Sequence, residues 1–209
     1  MTTVSTVDST GKRQYAPRMA PEERRDQILD AALDVIAEHG VGAVSVDGIA
    51  KAIGVTRPVV YSQFADTDDI LRASLKREEA RALAQLEDVF AAAGQLSTPD
   101  SPADLVQAYL DAVLAEPKRW RAILLPAGYP PAFRKRLVQG QRRIVGVFEK
   151  AGRATMPPDT DVELLARALL ALLLDAGRIV LDEADTYPPQ RVAAFTASMA
   201  TRIIARPAR

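Results

Sequence analysis

The sequence predicts an all-α protein of about nine helices, and three observations predict it. Apolar residues recur at three- and four-residue spacing in segment after segment. No segment alternates polar and apolar residues with the period of two that a half-buried strand requires. Prolines and glycines stand where such helices should begin and end, among them Pro21, Gly40, Gly54, Pro102, Pro117 and Pro189.

The elements follow in order. Met1 to Ala20 is rich in Thr and Ser, aperiodic, and basic only at Lys12, Arg13 and Arg18, so residues 1–20 read as a disordered arm. Pro21 opens the first helix with Glu22 and Glu23 at its positive end; Ile28, Leu29, Ala32, Val35 and Ile36 form its apolar stripe, and Gly40 stops it. Ser45 caps a short helix ending before Gly54, and Thr56 caps another ending near Phe64. Asp66 caps a long helix from Thr67 to Ala93, closed by Gly94. After a linker at Ser97 to Ser101, helices are expected from Pro102 to Glu116 and from Pro117 to Leu125. Pro126, Pro130 and Pro131 mark a sharp connection. Ala132 to Gly152, Asp161 to Ala184 and Pro189 to Arg206 complete the set. The domain division that follows is the arm 1–20, a DNA-binding unit 21–66, and a ligand-binding and dimerisation unit 67–209.

Composition narrows the function. The 209 residues are 48% hydrophobic and 26% charged, with 27 basic and 27 acidic side chains, so the net charge is zero. Residues 1–65 carry seven basic and eight acidic side chains, so any DNA contact rests on where charges are placed rather than on their sum. There is no cysteine and one histidine, His39, which sits in the last turn of a helix where a cation is favoured. These counts leave no ready set of residues for nucleophilic catalysis, and no metal or cofactor is assigned. Met1 to Thr10 lacks an apolar core behind a basic start, so no signal peptide is expected. Val162 to Leu181, the most apolar stretch, is broken by Glu163, Arg167, Asp175 and Arg178 and reads as a buried helix rather than a bilayer span. A cytoplasmic protein without membrane contact is the expectation.

The segment Ser45 to Phe64 carries the function. Ala50 is small where two helices must cross closely, Gly54 follows four residues on at the turn, and Val60 follows six further on, pointing inward. Ile49, Ile53 and Val55 fill the remaining inner positions. That spacing is the geometry of a DNA-binding helix-turn-helix, although a plain helical hairpin can share it. The outward residues favour DNA. Arg57 can pair bidentately with guanine and Val59 can meet a thymine methyl. The hydroxyls of Thr56, Tyr61 and Ser62 suit phosphate oxygens. A helix exposed only for solubility would carry Glu and Lys instead.

The run of Ile28 to Gly40, Ser45-Val46, Ile49-Ala50, Gly54-Val55-Thr56, Val60-Tyr61 and Phe64 resembles the DNA-binding region of the TetR family of transcriptional regulators. The resemblance covers residues 21–71; beyond them only the layout of a long connecting helix and five further helices matches. It implies a homodimer on double-stranded operator DNA, with the last two helices at the interface and a ligand cavity in each C-terminal domain. By resemblance, Thr56 and Tyr61 hold phosphates while Arg57, Pro58 and Val59 face bases; Ser45, Ser62, Gln63 and Thr67 complete the DNA-binding set. Two departures stand out. Thr67 occupies a position often held by lysine, and Gln63 one where His or Tyr is common. Gly48, inside a helix, costs roughly 1 kcal/mol against alanine, and the pattern gives no reason for it.

In the C-terminal region, Tyr109, Trp120, Leu124, Tyr129, Phe133 and Phe148 cluster in consecutive helices around the Pro126–Pro131 break, in a chain only 5% aromatic. They can be core, or they can line a cavity for a small apolar or aromatic effector. Asp175, in the most apolar helix with Arg178 near it, reads as an internal or intersubunit ion pair or as a ligand contact. Val162 to Leu181 is apolar nearly all round and needs cover on two sides. The last helix offers a ridge of Val192, Phe195, Met199 and Ile203, with Ala193, Ala197 and Ala200 beside it for close approach. A four-helix dimer interface through residues 161–206 is the expectation. Two functions remain open: a repressor released by its effector, and a DNA-binding dimer that senses nothing.

Overall fold

The computed structural model describes residues 19–95, 102–125 and 131–204, with the backbone alone at 90–95, 102, 131–134 and 136. Among them are nine α-helices and no strand. They are α1 (Pro21–His39), α2 (Val46–Ala52), α3 (Arg57–Tyr61), α4 (Thr67–Gln95), α5 (Pro102–Ala115), α6 (Pro117–Leu124), α7 (Pro131–Thr155), α8 (Val162–Asp182) and α9 (Pro189–Ile204). A single 3-10 turn, Val41–Ala43, links α1 to α2. The basic arm residues Lys12, Arg13 and Arg18 lie outside the described residues, as do Tyr129 and the final residues of the expected last helix.

The helix starts obey local chemistry. Pro21 occupies the first turn of α1, where its missing N–H costs nothing, and the Glu23 carboxylate accepts from the Ala20 N–H at 3.2 Å. Ser45 Oγ accepts from the Gly48 N–H at 3.1 Å. A Cβ on Gly48 would lie 3.1 Å from that same hydroxyl oxygen, so glycine here clears room for the cap. Asp66 caps α4 through the Asp69 N–H at 2.7 Å, and Asp161 caps α8 through the Leu164 N–H at 3.1 Å. Two stops move. The long helix runs through Gly94 to Gln95, and α7 runs through Gly152 to Thr155. An isolated glycine only weakens a helix and ends it where the chain turns out through a positive φ, as at Gly40 with φ +80°.

Two larger cores and a smaller cluster between α7 and α8 organise the described residues. The first joins Ile28, Ile36, Ile49, Val60, Phe64 and Ile70 of α1–α4 and also takes in Ala122 of α6 and Leu137 of α7. Ile28, Ile49 and Val60 are wholly buried, each stabilising the fold by about 1.5–3 kcal/mol. The second core joins Leu86, Leu110, Val113, Trp120, Val180 and Val192. In it α5 packs on α9, α9 on α8, and α8 on α7, while α6 bridges to α1. The alanine face of α9 is corrected here: Ala193 and Ala197 are buried in the chain's own second core. Outward on α8 and α9 stand Leu164 and Phe195, 63% and 64% exposed. No helix among the described residues is long and apolar enough to cross a membrane.

Candidate nucleic-acid interface and the cavity behind it

The turn between α2 and α3 is built around Gly54, whose φ of +68° is easy only without a side chain. The Val55 N–H returns to the Ala50 carbonyl at 2.9 Å, so the small residue at 50 and the turn glycine act together. Val60, fully buried, pins α3 to the core and leaves Thr56, Arg57, Pro58, Tyr61 and Ser62 exposed and Val59 half-buried at its edge. The helix proper ends at Tyr61; the N–H groups of Ser62, Gln63 and Phe64 still return to Pro58 and Val60, which carries the turn to the expected limit.

Each expected contact residue has a definite setting. Ser45 accepts at its own cap and keeps its hydroxyl proton for an acceptor such as phosphate. Thr56 is the N-cap of α3, and its side chain makes no cap hydrogen bond. Tyr61 is 54% exposed. Ser62 Oγ donates to the Val59 carbonyl at 2.7 Å and is used locally. The half-buried Gln63 donates to Ser62 Oγ at 3.3 Å, while its carbonyl accepts from Arg25 at 2.9 Å. Thr67 begins α4, half-buried, next to the exposed carboxylate of Asp68. The first turn of α4 therefore offers a negative charge close to where a lysine would offer a positive one.

Sequence reasoning misses two positioning residues. Asp47 on α2 pairs with Arg57 through both carboxylate oxygens. Arg25 on α1 stacks its guanidinium 4.1 Å over the Phe64 ring and binds the Gln63 carbonyl, tying the end of the reading segment to the first helix. Neither partner is visible as a helical spacing; only tertiary approach brings residues 10 and 38 positions apart together.

Behind this unit, α4, α6, α7 and α8 line a partly open cavity of about 230 Å3. Leu86, Trp120, Leu124, Leu137, Ile144 and Leu174 form its apolar lining, and Glu79 and Arg178 bring charge to it. Of the residues expected to line it, Trp120 and Leu124 do. Tyr109 does not: it stands edge-on to Trp120, centroids 5.9 Å apart, with its hydroxyl buried and without a hydrogen-bond partner. Burial raises the Tyr109 pKa, opposed by the charge of Arg178, so the phenol stays neutral. Phe148 packs with Val145, Ala166 and Leu170 between α7 and α8, away from the cavity. Asp175 is exposed and borders a separate hollow with Ile179, Tyr187, Arg191 and Phe195 on the outer α8–α9 face. The internal Asp175–Arg178 pair is not formed; Arg178 donates instead to the Leu124 carbonyl at 2.8 Å. The side chain of Phe133 is outside the described set. Glu79, Leu83, Gly140 and Gln141 line the cavity without having been expected, because nothing in their local spacing marks them.

A polar chain runs from the cavity wall to α1. Trp120 Nε1 donates to Gln85 Oε1 at 3.0 Å, which also accepts from Arg119 at 3.3 Å. Arg119 meets the buried carboxylate of Glu78 at 3.2 Å, and Glu78 meets Arg77 at 2.8 Å. Arg77 reaches Asp30 of α1 at 2.6 Å. Burial opposes the Arg77 charge, but the hydrogen bonds and charges of Glu78 and Asp30 outweigh it and hold its pKa above the ordinary value. Lys118–Asp34 at 2.6 Å adds a second α6–α1 link, and Arg121–Asp182 at 2.6 Å fastens α6 to α8.

Known proteins share this architecture. Residues 28–74 match the family model TetR_N, bacterial regulatory proteins of the tetR family. The chain is 26% identical over 124 residues to the uncharacterized HTH-type transcriptional regulator MT0489 of Mycobacterium tuberculosis, an alignment spanning 59% of this chain and 50% of that protein. The chain thus spans about half the length of the curated relative it matches. In fold, it resembles a TetR-like transcriptional regulator from Rhodococcus sp. RHA1, with TM-score 0.69, 23% identity, and coverage of 88% of this chain and 97% of that one. It also resembles the protein of a SmeT–triclosan complex, with TM-score 0.64, 23% identity, and coverage of 88% and 92%.

Proposed function

Taking the chain as a TetR-family transcriptional regulator, we propose that it represses transcription as a homodimer on a palindromic operator and is released by a small, largely apolar effector. The observation that carries this reading is the sharing of α4. Its first turns pack in the DNA-binding core through Ile70 and Leu71, while Ala82, Leu83 and Leu86 of the same helix line the cavity. A molecule that enlarges or reshapes the cavity therefore acts on the helix that sets where α3 points. It acts only to the extent that it binds better to the arrangement that misfits DNA.

The dimer reading rests on the outer face of α8 and α9. Leu164, Phe195 and Ile203 are exposed on these two helices, and Phe195 borders a hollow of about 360 Å3 together with Tyr187 and Arg191. Exposed apolar groups gathered on one face mark an interaction surface, and a second copy meeting it across a two-fold axis gives the four-helix arrangement. In such a dimer two α3 helices would meet successive turns of the duplex or a multiple of that spacing.

The test is a titration of the protein–operator complex with a metabolite panel, monitored by anisotropy of labelled DNA and by Trp120 fluorescence. A compound that binds the cavity lowers operator affinity, typically about 5–150-fold, and DNA weakens its binding by the same factor. Tight binding of a compound with no change in operator affinity contradicts the sensor mechanism and leaves a DNA-binding dimer.

A further inference from the structure

The charges on the cavity wall are not equivalent. Arg178 is half-buried, and its Nε donates to the Leu124 carbonyl at 2.8 Å, which fixes the plane of the guanidinium. Among the described residues, no other hydrogen bond or ion pair engages it, so both terminal nitrogens remain available as donors. The nearby acids do not neutralise it. Tyr109, on which the Arg178 charge acts, is buried and held neutral. Asp175, on the same helix, is exposed on the outer face. Asp182 is taken by Arg121. Glu79 also reaches the cavity, but its carboxylate lies against Gly140, where an added Cβ would sit 2.9 Å from Oε1, and it is already engaged by the protein. A guanidinium on a largely apolar wall, with no ion-pair partner among the described residues, attracts an anion, and a fork of two N–H donors matches a carboxylate.

We infer that the effector is a small amphipathic carboxylate, its head accepting from the terminal nitrogens of Arg178 and its tail lying along Trp120, Leu124, Leu137 and Leu174. This rests on the sensor reading above and sharpens it by giving the ligand one negative charge. At roughly 30 Å3 per water-sized group, 230 Å3 takes a tail of on the order of eight groups, the size of a medium-chain or small aromatic acid.

The experiment compares octanoate, octanol and octylamine on the full-length wild-type protein, by Trp120 fluorescence and calorimetry. Octanoate should bind about tenfold or more tightly than octanol, the value expected for hydrogen bonds to a charged group, and octylamine should bind weakest. Arg178→Gln should abolish the preference for the acid, and Arg178→Lys, which keeps charge but not the fork, should retain part of it. If Arg178→Gln fails to fold, the wild-type ranking and the lysine variant decide. Octanol or octylamine binding as tightly as octanoate overturns the carboxylate assignment while leaving a sensor of neutral or cationic molecules. Binding of none of the three overturns this inference, and the operator titration with the wider panel then decides the sensor reading separately.

Discussion

Arg57 at the start of α3 and Asp47 on α2 form a two-pronged ion pair, Nε meeting one carboxylate oxygen and a terminal nitrogen the other. Both side chains are about 60% exposed, so the pair contributes little to stability. Its consequence is orientational: with two donors held by Asp47, the guanidinium presents its remaining edge in a fixed plane. Arg57→Ala should cost about 1–3 kcal/mol of operator affinity and relax one base position per half-site. Asp47→Asn should weaken discrimination at that position and steepen the salt dependence by about one phosphate equivalent, since a negative charge leaves the DNA face. Anisotropy titrations over a salt series check both; unchanged affinity in Arg57→Ala at matched salt contradicts the assignment.

Tyr61 stands 54% exposed on the same helix. Tyr61→Phe should weaken specific and non-specific DNA alike, because a phosphate contact carries no sequence information. A loss confined to the cognate sequence would instead make Tyr61 a base reader.

Gly177 and Tyr109 are in tight register. A Cβ on Gly177 would lie 2.5 Å from the Tyr109 hydroxyl oxygen and 2.7 Å from a Leu124 methyl. Gly177→Ala should therefore destabilise by about 1–3 kcal/mol through overpacking, despite alanine's better helix propensity. Tyr109→Phe removes a buried hydroxyl with no partner and should be neutral or stabilising. The double variant should recover part of the loss. Denaturant midpoints for the four proteins test this; a stabilised Gly177→Ala contradicts the packing described.

Glu78 is 1% exposed and counters Arg77, Arg81 and Arg119. Glu78→Ala should cost about 3–5 kcal/mol, the range for breaking a buried pair from one side. Glu163→Ala, which removes an exposed i,i+4 pair with Arg167, should cost a few tenths. Equal melting temperatures for the two variants would contradict the burial of Glu78.

Phe195 and Ala197 separate association from folding. Phe195→Arg should yield a folded monomer in sedimentation, while Ala197→Arg should lose the fold by circular dichroism, since Ala197 is in the core. A Phe195→Arg variant that remains a dimer contradicts the outer α8–α9 face as the interface.

Much of this was legible in the sequence because local rules dominate where local chemistry is strict. The turn at Gly54, the stop at Gly40, the caps at Ser45 and Asp66, and the buried Val60 each follow from one residue's own constraints. The C-terminal site was less legible. A helix apolar nearly all round does not say which side faces in, so Asp175 reads as an internal or intersubunit ion pair or as a ligand contact, and it stands on the outer face. Small residues on α9 suit close approach by any neighbour, and the neighbour is α5 of the same chain. Aromatic clustering found Trp120 but could not separate the ring that lines the cavity from Tyr109 behind it.

Selecting bound duplexes from a random pool with the wild-type chain decides whether two copies read operator DNA together. The expected product is an inverted repeat whose half-sites lie about 34–36 Å apart or a multiple of that, with information content falling at one base per half-site in the Arg57→Ala selection. Recovery of no enriched sequence, or of a site without two-fold symmetry, would contradict paired reading.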